Sequence, residues 1–192
     1  GSSFKVGQGI FALSIEELSR IPLSDKEQEL IKPYFTTDKF DRFYSNDDFE
    51  QVVIYTDSTF KNPHSLQEYP NIKQHLDQFI SIFTSDNKPY GLHRAREERF
   101  FIGEKIIAQR KCAGRPVFTY ADFDTYVSAT FYLIKTDRVN LKFLTALLNS
   151  KLIAFWLRHK GKMQGNNYQI DKEPLLEIPI IETDKQELFA TL

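Results

Sequence analysis

Three β-branched and aromatic runs, residues 105–110, 117–120 and 126–134, follow one another with no helical stretch between them, and two helical stripes appear only afterwards, at 141–148 and 151–159. A chain in that order cannot wind a regular series of βαβ units, because parallel neighbours need a crossover between each pair of strands. The class it predicts is α+β, with a curved mixed β-sheet, flanking helices and a C-terminal helix pair. Asn140 is placed to cap Leu141–Leu148. Asn149-Ser150 then either interrupts that helix or caps a second one running to about His159, and Gly161 ends it. Residues 113–116, Ala-Gly-Arg-Pro, are turn chemistry between the first two strands.

Upstream, Ser14 with Glu17 forms a capping-box pair, and residues 24–31 start another short helix that Pro33 is expected to close. Val52–Tyr55 reads as a buried strand. From Pro70 the apolar positions 72, 76, 79, 80 and 83 keep one-sided helical spacing, which leaves His75 off the stripe as a surface residue. Leu175–Ile181 is expected to be a short edge strand, since Pro179 cannot donate to a central ladder. A terminal helix is expected from Asp184. With no repeat and no long linker, residues 1–192 are expected to form a single domain. Gly1-Ser2-Ser3 reads as a cloning remnant, and the chain as a piece of a longer one.

No apolar run approaches the length of a bilayer span, and Cys112 is the only cysteine, so a disulfide framework is excluded and a cytoplasmic setting is the simplest expectation. Catalytic signatures fail one by one. Gly7-Gln8-Gly9 lacks the third glycine of a dinucleotide loop, and the four histidines have no metal-ligand spacing. Asp57 could supply one acid of a nuclease, but Glu104-Lys105 is adjacent where an acid-x-lysine spacing is needed. These residues are expected to carry no catalytic, cofactor or metal site.

The net charge of −1 averages opposed regions. Residues 16–50 hold ten acids against five bases, a poor surface for a polyanion. Residues 94–115 hold seven bases against three acids, and residues 142–172 hold six bases against Asp171 alone. A basic face on an otherwise acidic body suits a polyanionic partner. Arg94, Arg96 and Arg99 could hold phosphates or fork onto guanine, or simply pair with Glu97, Glu98 and Glu104. Gln109-Arg110-Lys111 ends a strand, and Gln164, Asn166, Asn167 and Gln169 lie with Tyr168 in a segment, 161–170, read as a loop without an acid. Side-chain amides pair with adenine edges, so such a loop suits nucleic acid.

The stretch "LKFLTALLNSKLIAFWLRHKGKMQGNNYQIDKEPLLEIPI" resembles the TaqI-like C-terminal specificity domains, the target-recognition modules of adenine-specific DNA methyltransferases and type IIG restriction-modification enzymes. It is similar, more distantly, to specificity subunits of type I systems. The shared features are the "LLNSKL" helix pair, Phe155-Trp156, the basic glycine segment 160–162, and the closing Ile178-Pro179-Ile180. Residues 69–76, 99–107 and 126–128 agree in order, so the likeness spans about residues 50–181. The resemblance implies recognition of double-stranded DNA that positions an adenine for methylation. It implies that Lys105, Arg110, Lys111, Lys151, Lys160 and Lys162 bind phosphate, that Gln109, Gln164, Asn166, Asn167 and Tyr168 read base edges, and that Arg94, Arg96 and Arg99 serve either role. Leu147, Leu148, Phe155 and Trp156 are expected in the core. The methyltransferase signatures are absent from these residues, so S-adenosylmethionine is expected in a methyltransferase domain of the same parent chain. Two rival expectations stand beside this: a protein-interaction module docking through helices 141–159, and a degenerate nuclease using Asp57.

Overall fold

The computed structural model describes residues 9–81, 90–92, 95–181 and 183–190. Its strands are β1 (Ala12–Ser14), β2 (Ile31–Phe35), β3 (Phe43–Tyr44), β4 (Gln51–Ile54), β5 (Lys105–Gln109), β6 (Lys111–Ala113), β7 (Phe118–Ala121), β8 (Tyr126–Val127), β9 (Phe131–Ile134), β10 (Lys162–Gln164) and β11 (Asn167–Gln169). Its α-helices are α1 (Ile15–Leu18), α2 (Asp25–Gln28), α3 (Pro70–Asp77), α4 (Leu141–Leu148), α5 (Lys151–Lys160), α6 (Lys172–Leu176) and α7 (Gln186–Ala190). The class is α+β, as the order of segments predicts, but several small sheets replace a single curved one. Among the described residues no helix is long and apolar enough to cross a membrane.

Backbone contacts divide the chain into two compact units, residues 1–35 with 48–98, and residues 36–47 with 99–192. In the first, β4 lies between β1 and β2 and pairs antiparallel with both. Leu13, Val52, Ile54, Leu66, Ile72 and Leu76 form its core. The expected capping box of Ser14 with Glu17 is present, and the structure adds a second, Ser24 with Glu27. Glu27 does more than close its own box. Its carboxylate also accepts from the amides of Asn71 and Ile72, at 2.7 and 3.1 Å, and so caps α3, whose own N-cap residue Tyr69 offers no side-chain bond. Burial alone would raise the Glu27 pKa, but the hydrogen bonds from Ser24, Asn71 and Ile72 outweigh it and hold the group down to about 2.

Several expectations for this unit change. Helix α2 ends at Gln28, and Pro33 stands inside β2 opposite Val52, because Leu30 and Ile31 are drawn into the sheet and the Tyr55 amide donates to the Leu30 carbonyl at 2.7 Å. Helix α3 ends at Asp77, so Phe79 is buried from the following turn while Ile80 is exposed; position 83 lies outside the described residues. His75 is half-buried, bonded to the Ile10 carbonyl at 2.8 Å and edge-on to Phe79. Asp57 caps a 3-10 turn, its carboxylate accepting from the Thr59 amide and hydroxyl at 2.8 and 2.6 Å.

The second unit holds a four-stranded sheet in the order β3-β7-β5-β9, with β3 parallel to β7 and the other pairs antiparallel. Helix α4 packs on β7 and β5, burying Leu141, Leu144 and Leu148 against Ile106, Phe118 and Tyr120. The run 126–134 is not one strand. Ser128 and Thr130 bond to each other at 2.6 Å and turn the chain between β8 and β9.

The structure resolves the Asn149-Ser150 alternative as two helices with separate tasks for the two residues. The Asn149 side chain donates to the carbonyls of Phe118 (2.7 Å) and Thr145 (2.9 Å) and accepts from the Phe118 amide (3.2 Å), so it bonds β7 at Phe118, just past the end of the two-residue β3, which pairs only with Thr119 and Tyr120. Ser150 caps α5 by accepting from the Ile153 amide. Helix α5 ends at Gly161, where a Cβ would stand 2.5 Å from the Leu157 carbonyl oxygen, so only glycine fits there without a shift of backbone. The edge strand expected at 175–181 does not form: Leu175 and Leu176 end α6, and residues 177–181 follow in neither helix nor strand. Pro174 sits in the first turn of α6, where no amide is needed, and Leu175 and Ile178 pack inward at a helical spacing of three.

Candidate functional site

Residues 161–170 are not an open loop. They form the hairpin β10–β11, in which Gln164 faces Asn167 across a two-residue turn, Gly165-Asn166, with Gly165 at φ +60°. Glycine at the first turn position is what a type II′ hairpin demands. Strand β11 pairs in turn with β6, setting Asn167 opposite Ala113, Tyr168 opposite Cys112, and Gln169 opposite Lys111. Strand β6 lies in the stretch read as a connection, and it joins the two basic segments of the sequence in one sheet.

Side chains alternate across a strand, so these registers sort the three-stranded sheet into two faces. One row, Met163, Tyr168 and Cys112, faces the core. The other face carries Lys162, Gln169 and Lys111 in one row and Gln164, Asn167 and Ala113 in the next. Apart from the half-buried Gln169, all of these are exposed, as is Asn166 at the turn. Two lysines and four amides thus share a surface of one short sheet. Asp171, just beyond the expected loop, moderates it: Lys162 reaches the Asp171 carboxylate at 2.9 Å, and Gln169 reaches it at 3.4 Å. The Lys162 ammonium holds the Asp171 carboxyl below its ordinary range and has its own pKa raised in return.

Two concavities adjoin this sheet within the same unit. One, of about 600 Å³, is lined by Gln109, Arg110, Lys111, Gln169 and the hydroxyl residues Thr37, Ser128 and Thr130. There Arg110 stacks over the Tyr132 ring at 5.0 Å and donates to the Ala129 carbonyl at 3.2 Å. The other, of about 550 Å³, has Arg42, Phe43, Arg115, Lys151, Phe155 and Tyr168 in its wall.

Several expected contacts are withdrawn by burial. Lys105 is fully buried, and its ammonium donates to the carbonyls of Gly103 and Phe123 rather than facing a phosphate; burial pushes its pKa down to about 8, with Lys135 adding to the effect. Gln109 donates to the carbonyls of Thr37 and Phe40, at 3.3 and 3.2 Å, and so holds the segment 36–47 to β5; no amide hydrogen is left for a base edge. Tyr168 is 5% exposed and belongs to the core. Cys112 beside it is buried, which pushes its thiol up to about 11.

Lys151 is exposed at the start of α5, and Lys160 at its end lies over the Trp156 ring. Arg94 lies outside the described residues. Arg96 belongs to the first unit, where its carbonyl accepts from the Tyr55 hydroxyl; Arg99 belongs to the second and stacks on Phe100. Glu98 pairs with Lys32, and Glu104 accepts from Tyr120, so neither is committed to the arginines alone. In the helix pair, Leu148 is buried and Leu147 and Trp156 are half-buried against the core, but Phe155 is 63% exposed, and Leu152 on the same helix face is 64% exposed.

Sequence reasoning missed Arg42, Phe43 and Arg115. Arg42 and Phe43 fall in the acidic segment set aside for its charge, and no local signal marks them. The hairpin did have a signal, Gly165-Asn166 between two polar-apolar alternations.

The profile of the family described as TaqI-like C-terminal specificity domain matches residues 54–180. The chain belongs to that family. It is 27% identical over 141 residues to the type II methyltransferase M.HincII of Haemophilus influenzae, covering 71% of this chain and 28% of the relative. It is equally similar to the type II methyltransferase M.HindII of Haemophilus influenzae (strain ATCC 51907 / DSM 11121 / KW20 / Rd), again over 71% of this chain and 27% of the relative. The chain therefore spans little more than a quarter of these relatives. Among solved structures, the type IIL restriction-modification enzyme MmeI in complex with DNA matches 85% of this chain with 22% of its own, at a TM-score of 0.59 and 13% identity, a likeness of fold.

Proposed function

We propose that the second unit recognises double-stranded DNA through the exposed face of the sheet β10-β11-β6, as the specificity part of a restriction-modification enzyme. The observation that carries this reading is the register that sets Lys111, Lys162, Gln164, Asn167 and Gln169 on one surface. Exposed amides can form the paired bonds that an adenine edge offers in the major groove, and the lysines supply the phosphate contacts that fix position. Family membership and the methyltransferase relatives support the same reading. On it, Lys111, Lys151, Lys160, Lys162 and Arg110 bind phosphate, while Gln164, Asn166 and Asn167 read bases.

The parent enzyme would use this recognition to present an adenine, extruded from the stack, for methylation. The methyl donor S-adenosylmethionine and the domain that holds it would lie in the parent chain outside these residues, and the setting would be the cytoplasm.

The test is binding to random-sequence duplex DNA at two salt concentrations, beside the double variant Lys111→Glu, Lys160→Glu. Salt-sensitive binding that the variant weakens, with a salt slope reduced by about one per lost phosphate contact, supports the reading. Absence of binding by the folded chain at low salt refutes it.

A second reading has one observation in its favour, the exposed Leu152 and Phe155 on one face of α5. Self-association that ignores DNA and disappears when both are substituted would favour a protein-docking module instead.

A further inference from the structure

Phe43 is the one described non-glycine residue with positive φ, at +79°. The amide of Tyr44 donates to the carbonyl of Arg42 at 3.2 Å, which makes Phe43 the centre of a three-residue turn. Turns of this kind with positive φ are rare and strained, and an aromatic side chain there costs about 1–3 kcal/mol. The strain is not repaid by burial, since Phe43 is 47% exposed and Tyr44 beside it 61% exposed. A second cost lies next door: the Nε of Arg42 is buried with no hydrogen-bond partner among the described residues.

The surroundings hold this turn firmly. Phe43 and Tyr44 are β3, paired with Thr119 and Tyr120 of β7, and the Thr119 hydroxyl donates to the Asp41 carbonyl. Arg42 lies 4.8 Å over the Phe43 ring and donates to the Asn149 carbonyl at 3.3 Å. Both residues line the groove that Arg115 and Lys151 also enter, and none of its lining residues is an acid. A rigidly held, exposed aromatic beside three cations is complementary to a polyanion that carries stackable rings. Arg42 and Phe43 precede the span matched by the family, whereas Arg115 and Lys151 lie within it.

We infer that Phe43, backed by Tyr44, is a wedge that stacks against an unpaired or partly unstacked base while Arg42, Arg115 and Lys151 hold the flanking phosphates. Proteins that insert apolar side chains at base steps bear an unstacking cost of a few kcal/mol per step, and DNA that is already unstacked removes that cost. The inference rests on the DNA-binding reading above.

The experiment compares the whole 192-residue chain on a random-sequence duplex and on the same duplex with a single-nucleotide bulge carrying 2-aminopurine beside it. Anisotropy measures affinity, and 2-aminopurine fluorescence measures stacking. The expected result is a preference for the bulged duplex of about ten-fold, with a change in 2-aminopurine emission on binding. Phe43→Gly suits the positive φ and removes the ring. It should keep or raise the thermal midpoint, keep the affinity for the perfect duplex, and lose both the preference and the emission change; Phe43→Trp should keep the preference and the emission change. Equal affinity of the unsubstituted chain for the two duplexes, or a preference that survives in Phe43→Gly, overturns the wedge and leaves the DNA-binding reading standing. No binding to either duplex overturns both.

Discussion

In the first unit the carboxylates of Glu17 and Glu27 are turned back onto backbone amides, closing capping boxes and, for Glu27, starting a helix 43 residues further along the chain at Pro70. In the second unit the lysines and amides of β6, β10 and β11 mostly face outward, and the polar groups that stabilise the fold there are the neutral Asn149 and Gln109 and the buried Lys105. A charge that satisfies a helix terminus is inseparable from folding. A charge on an open sheet face can be exchanged with little effect on folding and is available for a partner.

The largest expected effect lies in the first unit. Glu27→Ala leaves the amides of Ser24, Asn71 and Ile72 without an acceptor, and should cost about 3 kcal/mol in urea unfolding. The pH dependence follows the same group. Its folded pKa of about 2 is below its ordinary 4.5, so its contribution is present above pH 4.5 and is lost as pH falls toward 2. An unfolding curve for Glu27→Gln that falls across this window as steeply as the parent would contradict this role.

Next in size, Asn149→Ala strips three side-chain hydrogen bonds from the junction of β7 and α4, at about 2 kcal/mol. Equal stability of the two chains in urea would break the contrast between the units. Lys105 provides a test at the other end of the pH scale, where the charged form is the one that burial disfavours. Burial holds its pKa near 8 in the folded state against 10.5 ordinarily, so between those values the unfolded chain binds more protons and stability rises with pH. The parent should therefore gain on Lys105→Met as pH is raised from 8 to 10, read from paired thermal melts.

The smallest stability effect belongs to the outward face. Gln164→Ala with Asn167→Ala should leave the melting temperature unchanged, since both side chains are exposed. The same variant should relax base preference among selected duplexes. A large drop in melting temperature would move these amides from recognition to structure.

How much of this was legible beforehand depends on the range of the interaction responsible. The capping boxes, the paired helices and their glycine stop lie within a few residues of their partners, and all three were readable. The hairpin was readable in principle from Gly165-Asn166, and the lack of an acid in 161–170 hid the nearness of Asp171. Lys105 and Gln109 were misplaced because a strand-end lysine or glutamine looks the same in sequence whether it meets solvent or a carbonyl contributed by residues 37, 40 or 123.

By itself, the sequence determined the α+β class, the family, and the existence of two basic segments, because periodicity, capping and composition act over short stretches of chain. Only the tertiary structure decided that these segments meet, through the pairing of β11 with β6, and which of their side chains face outward. It alone placed Arg42 and Phe43 with Arg115 and Lys151. Strand register and long-range pairing are chosen by the packing of the whole unit, and a shift of one residue would have turned the opposite set of side chains outward.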